Sequence, residues 1–141
     1  MEVYIGAEFG PNAVKLIDAS KKNIDLCVYD WRFYPDRPMH PVSMFNQALI
    51  RAVRRGVSVR ALINASTYVD HLKSVGIQAR NPKTQRVMHS KFIIFDSEHL
   101  LLGSHNFTSN AFTTNFETSV FIPYCPVAPR FHQFFTNLYG I

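Results

Sequence analysis

Only two cysteines, Cys27 and Cys125, occur in 141 residues, and no CxxC pair is present. This excludes a disulfide framework and a thiolate zinc site, and both residues read as reduced core thiols. Charged residues are also few, 18% against 47% hydrophobic, which excludes a disordered chain. There is no run of about eighteen apolar residues, the length a membrane helix needs. The opening MEVYIGAEFG has neither the basic n-region nor the long apolar h-region of a secretory leader. The sequence therefore predicts a cytoplasmic protein with no stable membrane association. It contains no repeat, low-complexity tract or Gly/Ser linker, so residues 1–141 are expected to form a single domain. Neither a carboxylate cluster for Mg²⁺ nor a Cys/His spacing for Zn²⁺ is evident, so no metal and no cofactor is expected.

What the chain does have is an excess of positive charge and a regular alternation of elements. Lys and Arg total 15 against 10 for Asp and Glu, a net charge of +5, which favours a polyanionic partner. Short apolar runs at VYIG, 23–30, 57–64 and 77–80 read as strands. They alternate with helical patterns at 12–22, 41–56 and 65–76, the last two ending at Gly56 and Gly76. VMHSKFIIFD and HLLLGSHN read as antiparallel strands turning at Ser97–Glu98, followed by a strand at 115–122 and a helix at 128–140. This order predicts an α/β fold, a mixed sheet covered by helices on both faces. The run Phe92-Ile93-Ile94-Phe95 is apolar at both parities, as a strand buried on both sides must be.

The polar residues around that run carry the chemistry. Strand alternation puts His89 and Lys91 on one face, pairs Ser104 with Asn106, and pairs Asn115 with Glu117 opposite the apolar parity of Phe116, Thr118, Val120 and Ile122. If the three strands are neighbours, the pairs converge at the sheet rim. A histidine there can attack phosphorus. Lysine and asparagine can hold the non-bridging oxygens as charge builds. A glutamate can accept the other ring N–H and fix the tautomer. This combination points to metal-free phosphoryl transfer through a covalent phosphohistidine. Gly103 suits a close backbone approach. Asp96 has the opposite parity to His89 and reads as structural, pairing with a basic side chain across the sheet.

His89-Ser-Lys91, four residues, Asp96, six residues, then Gly103-Ser104-His105-Asn106 resembles the HxKx4Dx6GSxN signature of the phospholipase D superfamily. The resemblance extends in pattern to Glu117 downstream and to ALIRAVRRGVSVRALIN upstream, where it covers most of the chain. It implies a metal-independent phosphodiesterase with His89 as nucleophile and a second histidine, from another copy of the motif, as the acid. The chain holds no second copy. His71-Leu-Lys73 lies in a predicted helix, where i and i+2 diverge, and no GSxN follows it. Small members with one motif dimerise, so a homodimer placing His89 of both protomers at one phosphate is expected, with activity highest around the ordinary histidine pKa of about 6.5.

Nucleic acid, DNA or RNA, is the substrate the charge favours. Trp31 and Arg32, in YDWRFYPDR, are candidates to stack bases and hold a strand. An aromatic-anchored loop or a dimer seam is the equal alternative there. Lys83 and Arg86 read as a phosphate-tracking rim, and His105 as a substrate contact. The aromatic stripe Phe131, Phe134, Phe135, Leu138 and Tyr139 reads as core or dimer interface. Rival readings are a lipid phosphodiesterase or phosphatidyl transferase of the same superfamily, and a non-catalytic nucleic-acid-binding module.

Overall fold

A computed structural model describes residues 1–65 and 68–140. The elements run β1 (Glu2–Ile5), α1 (Phe9–Ala19), β2 (Asn23–Val28), α2 (Pro41–Arg54), β3 (Ser58–Ile63), α3 (Val69–Ser74), β4 (Gln78–Arg80), β5 (Phe92–Phe95), β6 (His99–Gly103), α4 (Ser109–Thr113), β7 (Thr118–Ile122) and α5 (Ala128–Tyr139). The strands form one seven-stranded sheet in the order β1-β7-β6-β5-β2-β3-β4. β2, β3 and β4 pair in parallel and the other neighbours antiparallel, so the sheet is mixed. Among the described residues, no helix is long and apolar enough to cross a membrane.

Strand parity divides the core into two layers. Leu26, Ile93, Phe95 and Leu101 face α1 and α2, meeting Ala13, Ile17, Phe45 and Leu49. Cys27, Leu62, Phe92, Ile94 and Leu100 face α5, meeting Ala128, Phe135 and Tyr139. β5 is therefore apolar at both parities because both its faces are buried. Both cysteines are free and buried, and burial pushes the Cys27 thiol up to about 12. The α5 layer also encloses Asp25, which takes a two-pronged bond from Arg60 at 2.8 and 2.9 Å, while the guanidinium lies over Phe135. That pairing, with His132 Nε2 a further 3.7 Å from Oδ2, satisfies the buried carboxylate.

The observed elements are shorter than expected at the sheet rim. β5 starts at Phe92, so His89, Ser90 and Lys91 precede the strand, and Asn115 to Glu117 likewise precede β7. The helix expected over 65–76 is confined to Val69–Ser74, and Ser66 and Thr67 lie outside the described residues. α4 was not expected: it is five residues long, too short for helical periodicity, and starts at the Thr108 cap. The apolar face assigned to 116–122 also needs correction. Phe116 and Thr118 are exposed and Ser119 is buried, because α5 lies over β2, β3 and β5 and leaves that side of β7 open.

Asp96, expected to pair with a basic side chain across the sheet, has different partners. It occupies the β5–β6 turn at a φ of 54°. Its carboxylate accepts the main-chain N–H groups of Lys21 (3.1 Å), Lys22 (2.7 Å) and Asn23 (3.2 Å), which ties the turn to the start of β2. Backbone amides, rather than a basic side chain across the sheet, neutralise it. Burial alone would raise this carboxyl, but the three amides outweigh it and hold the pKa below the ordinary carboxylate value. Asp96→Ala should therefore cost about 1–3 kcal/mol, since the partly exposed amides can turn to water. Asp96→Asn, which keeps the turn preference and one acceptor, should cost less. The pKa is depressed on folding, so the carboxylate's contribution is complete above the unfolded value near 4 and lost as pH falls below it. Urea midpoints of wild type and Asp96→Asn should accordingly converge in acid, and a gap that widened there would refute the assignment.

Candidate active site

β5, β6 and β7 are consecutive neighbours and antiparallel, so the residues before β5, after β6 and before β7 meet at one edge of the sheet. Lys91, Ser104 and Glu117 occupy these three positions. Ser104 Oγ donates to Glu117 Oε1 at 2.5 Å and accepts from Thr118 N–H at 3.0 Å, while Asn115 Nδ2 donates to Glu117 Oε2 at 3.1 Å. Asn106 Oδ1 accepts from Asp30 N–H at 3.1 Å, which orients its amide. His89 is exposed beside this cluster. Lys91 Nζ donates to His89 Nδ1 at 3.2 Å and to His89 O at 2.8 Å. Burial lowers the Lys91 pKa, and the charge of Glu117 opposes that shift, so ammonium and carboxylate act on each other across the edge.

The Lys91 contact sets the imidazole tautomer. An ammonium has protons to give and no lone pair, so Nδ1 accepts and the neutral ring carries its proton on Nε2. Glu117 does not bond to the ring here, because its oxygens are occupied by Ser104 and Asn115. Tyr29, which sequence reasoning missed, packs on His89 at 4.9 Å and lies 5.9 Å under the Lys91 ammonium. Its position just past the end of β2, where α/β sites gather, was the available signal. Among the described residues, no group of three or more His, Cys, Asp or Glu side chains gathers as a metal site.

Two expected substrate contacts are corrected. Trp31 is fully buried, packed on Phe45 and Phe107, and its indole N–H donates to Asn46 Oδ1 at 2.8 Å, so it presents no face to a base. His105 is buried between Ser119 Oγ (2.7 Å) and Gly6 O (2.9 Å) and stacks on Phe9 at 4.3 Å. Burial holds its pKa below the ordinary histidine value. It acts as a brace, and Gly6 completes that brace by donating its N–H to Glu117 O at 2.9 Å.

The basic candidates separate. Arg32 is exposed, with Nε on Asp30 Oδ2 at 3.1 Å. Arg86 shares with His89, Val87 and Phe134 a groove of about 310 Å³. Lys83 donates its N–H to Leu138 O, and its stem lies against Gly140, which puts it at the C-terminal end of α5 rather than in the cluster.

Residues 13–139 match the family described as "Cardiolipin synthase, PLD-like domain". Among curated proteins the chain is similar to the 5'-3' exonuclease PLD3 of Xenopus tropicalis, 28% identical over 109 residues, 66% of this chain and 22% of that protein. It is also similar to the mitochondrial cardiolipin hydrolase of Chlamydomonas reinhardtii, 37% identical over 73 residues, 52% of this chain and 33% of that protein. The chain thus spans a third or less of the length of these two relatives. Among solved structures it resembles Nuc, a phospholipase D family member from Salmonella typhimurium, with a TM-score of 0.82 at 25% identity, covering 99% of this chain and 94% of that one.

Proposed function

Since this chain belongs to the phospholipase D superfamily, whose members are phosphodiesterases, we propose that it is a metal-independent nuclease with His89 as nucleophile and an active site shared across a homodimer. The observation that carries this reading is the gathering of His89, Lys91, Ser104, Asn106 and Glu117 at one sheet edge. An incoming phosphate attracts Lys91 and so releases Nδ1. Once Nδ1 carries the proton, Nε2 is free to attack phosphorus as the P–O bond to the leaving oxygen breaks. The leaving oxygen takes its proton from the partner's His89. That imidazole, now neutral, deprotonates a water, which attacks phosphorus and releases His89 Nε2. Lys91 and the Asn106 amide hold the non-bridging oxygens throughout.

An uncovered surface supports the dimer. On the α5 side of the sheet, β6, β7 and β1 present Leu102, Val120 and Ile122 half-buried, with Val3 and Ile5 each 59% exposed. Phe116, next to Glu117, is fully exposed. An isologous contact through this face buries apolar surface close to the site and supplies the missing second histidine.

Nucleic acid is favoured by the net charge of +5, by Arg86 in the groove beside His89, and by similarity to an exonuclease. One observation favours the lipid reading: Val87, Phe134 and Leu138 make part of that groove apolar, and another relative is a cardiolipin hydrolase. The test is incubation of the protein with plasmid, single-stranded DNA, RNA and cardiolipin vesicles in excess EDTA. The nuclease reading predicts EDTA-resistant cleavage of nucleic acid at least tenfold above vesicle turnover. Turnover of vesicles alone replaces it with the lipid reading, and abolition by EDTA removes the proposed mechanism.

A further inference from the structure

Beyond Tyr29, the chain that leaves β2 lines a second groove, of about 440 Å³, that the chemistry above does not use. This volume lies within the range of small-molecule sites, roughly 300–1,000 Å³. Asp30, Arg32, Phe33, Tyr68, Ser109 and Asn110 are among the residues that form it. It adjoins the reacting centre on two counts. The Asp30 N–H is the donor that orients Asn106, and the preceding residue, Tyr29, packs on His89.

The lining selects the kind of occupant. Phosphate is disfavoured, because the one arginine is bonded to the one aspartate at 3.1 Å and the local charge cancels. The rings of Phe33 and Tyr68 lie 5.4 Å apart and tilted by 55°, offering aromatic surface to a flat ring. Asn110 adds an amide, and Ser109 a hydroxyl bonded to His40 Nε2 at 3.0 Å. Asp30 Oδ1 is buried and Oδ2 is bonded to Arg32, so the aspartate adds no unpaired charge to the groove. Aromatic surface and neutral polar groups suit a nucleobase. A paired base has its edge hydrogen-bonded to its complement and its faces stacked on neighbours, so it enters such a groove only after leaving the duplex.

We infer that this groove seats the base beside the scissile phosphate, which makes unpaired nucleic acid the preferred substrate. The inference rests on the nuclease reading and adds a recognition site to it. Phe33 and Tyr68 take over the stacking role that the buried Trp31 cannot fill. Arg32 is exposed and lies along the groove, its charge held by Asp30.

The test uses oligonucleotides carrying a single phosphodiester in an otherwise methylphosphonate chain, with the base on either side of that linkage present or replaced by an abasic site. Bis(4-nitrophenyl) phosphate serves as a diester without a base. In the wild type, removing the base on one side should lower kcat/KM about tenfold, and removing the other much less. A complementary strand across the linkage should lower it by a similar factor. Phe33→Leu keeps apolar volume without the ring and should abolish most of the abasic penalty. Asn110→Trp, which fills the groove from an exposed position, should lower the ratio of oligonucleotide to small-diester turnover about tenfold. The inference is overturned if intact and abasic oligonucleotides are cleaved within twofold of each other, a result that leaves the nuclease reading standing. It is also overturned if both variants retain the full abasic penalty. Absence of turnover for oligonucleotides and small diester alike removes the catalytic reading and this inference together.

Discussion

Replacing His89 by alanine is expected to lower EDTA-resistant cleavage by roughly 10⁴-fold or more, because no other group at the sheet edge can form the covalent bond to phosphorus. Ser104 is the nearest alternative nucleophile. Its hydroxyl donates to Glu117 at 2.5 Å and accepts from Thr118, so it is held away from attack. Melting temperature should change little, since His89 is exposed and its ring packs chiefly on Tyr29. The shared site makes a further claim, that the defect is dominant. At constant total protein, one part wild type refolded with nine parts His89→Ala should show about one hundredth of the specific activity of pure wild type if each site needs two histidines, against about one tenth if each protomer acts alone. Acid quenching of the wild type during turnover of a labelled substrate should also leave an acid-labile, alkali-stable label on the chain that is absent from the variant. Linear rather than quadratic loss in the mixing series would eliminate the shared site while sparing the nucleophile.

The second large effect is structural and comes from Gly103. This residue ends β6 opposite Ser119 of β7. A Cβ here would lie well inside van der Waals contact with Thr118 O and with the Cα and Oγ of Ser119. Because two of these obstacles are main chain, no rotamer relieves the clash, and β7 must move. Gly103→Ala should cost about 3 kcal/mol or more, about 10 °C in Tm for a domain of this size. Activity should fall further than stability explains. Displacing β7 pulls Glu117 from Ser104 and Ser119 from His105, which breaks the cluster in whatever fraction stays folded. Gly56→Ala is the control. Gly56 has a φ of 89° with nothing within 4 Å of its virtual Cβ, so the cost there is backbone strain alone, about 1 kcal/mol. Equal effects at the two glycines would show that strand proximity at Gly103 is not limiting.

Much of this architecture could be read from the chain before any coordinates. The alternating elements and the doubly apolar run 92–95 gave the sheet and its two covered faces, because period and burial are local properties of sequence. The spacing from His89 to Asn106 pointed to the candidate site, because two antiparallel strands and their turn lie within it. What could not be read depends on tertiary contacts. Trp31 and Arg32 are adjacent and look alike as binding candidates, but only Trp31 meets Phe45, Phe107 and Asn46. His105 stands between two site residues, yet the return of Gly6 and Phe9 from the far end of the chain buries it. For Asp96 a basic partner was the expectation, but its partners are main-chain amides, which carry no side-chain signature. Tyr29 is one more aromatic at the end of a strand until its contact with His89 is seen.

The Gly6 contact bears on how the molecule reaches working order. β5, β6 and β7 succeed one another along the chain and can form as a meander early, since each pairs with its neighbour in sequence and the longest connection, 104–117, is far shorter than the span that separates β1 from β7. β1 pairs only with β7, across roughly 110 residues of intervening chain, the kind of closure that comes late in folding. The segment that arrives last carries the amide and carbonyl of Gly6, which fix the main chain of Glu117 and the ring of His105. A nascent or partly opened molecule can therefore display the entire HxK…GSxN stretch while its glutamate is still unanchored. Catalytic competence then reports docking of the chain's first strand, so slow amide exchange at Gly6 and turnover should appear on the same timescale during refolding.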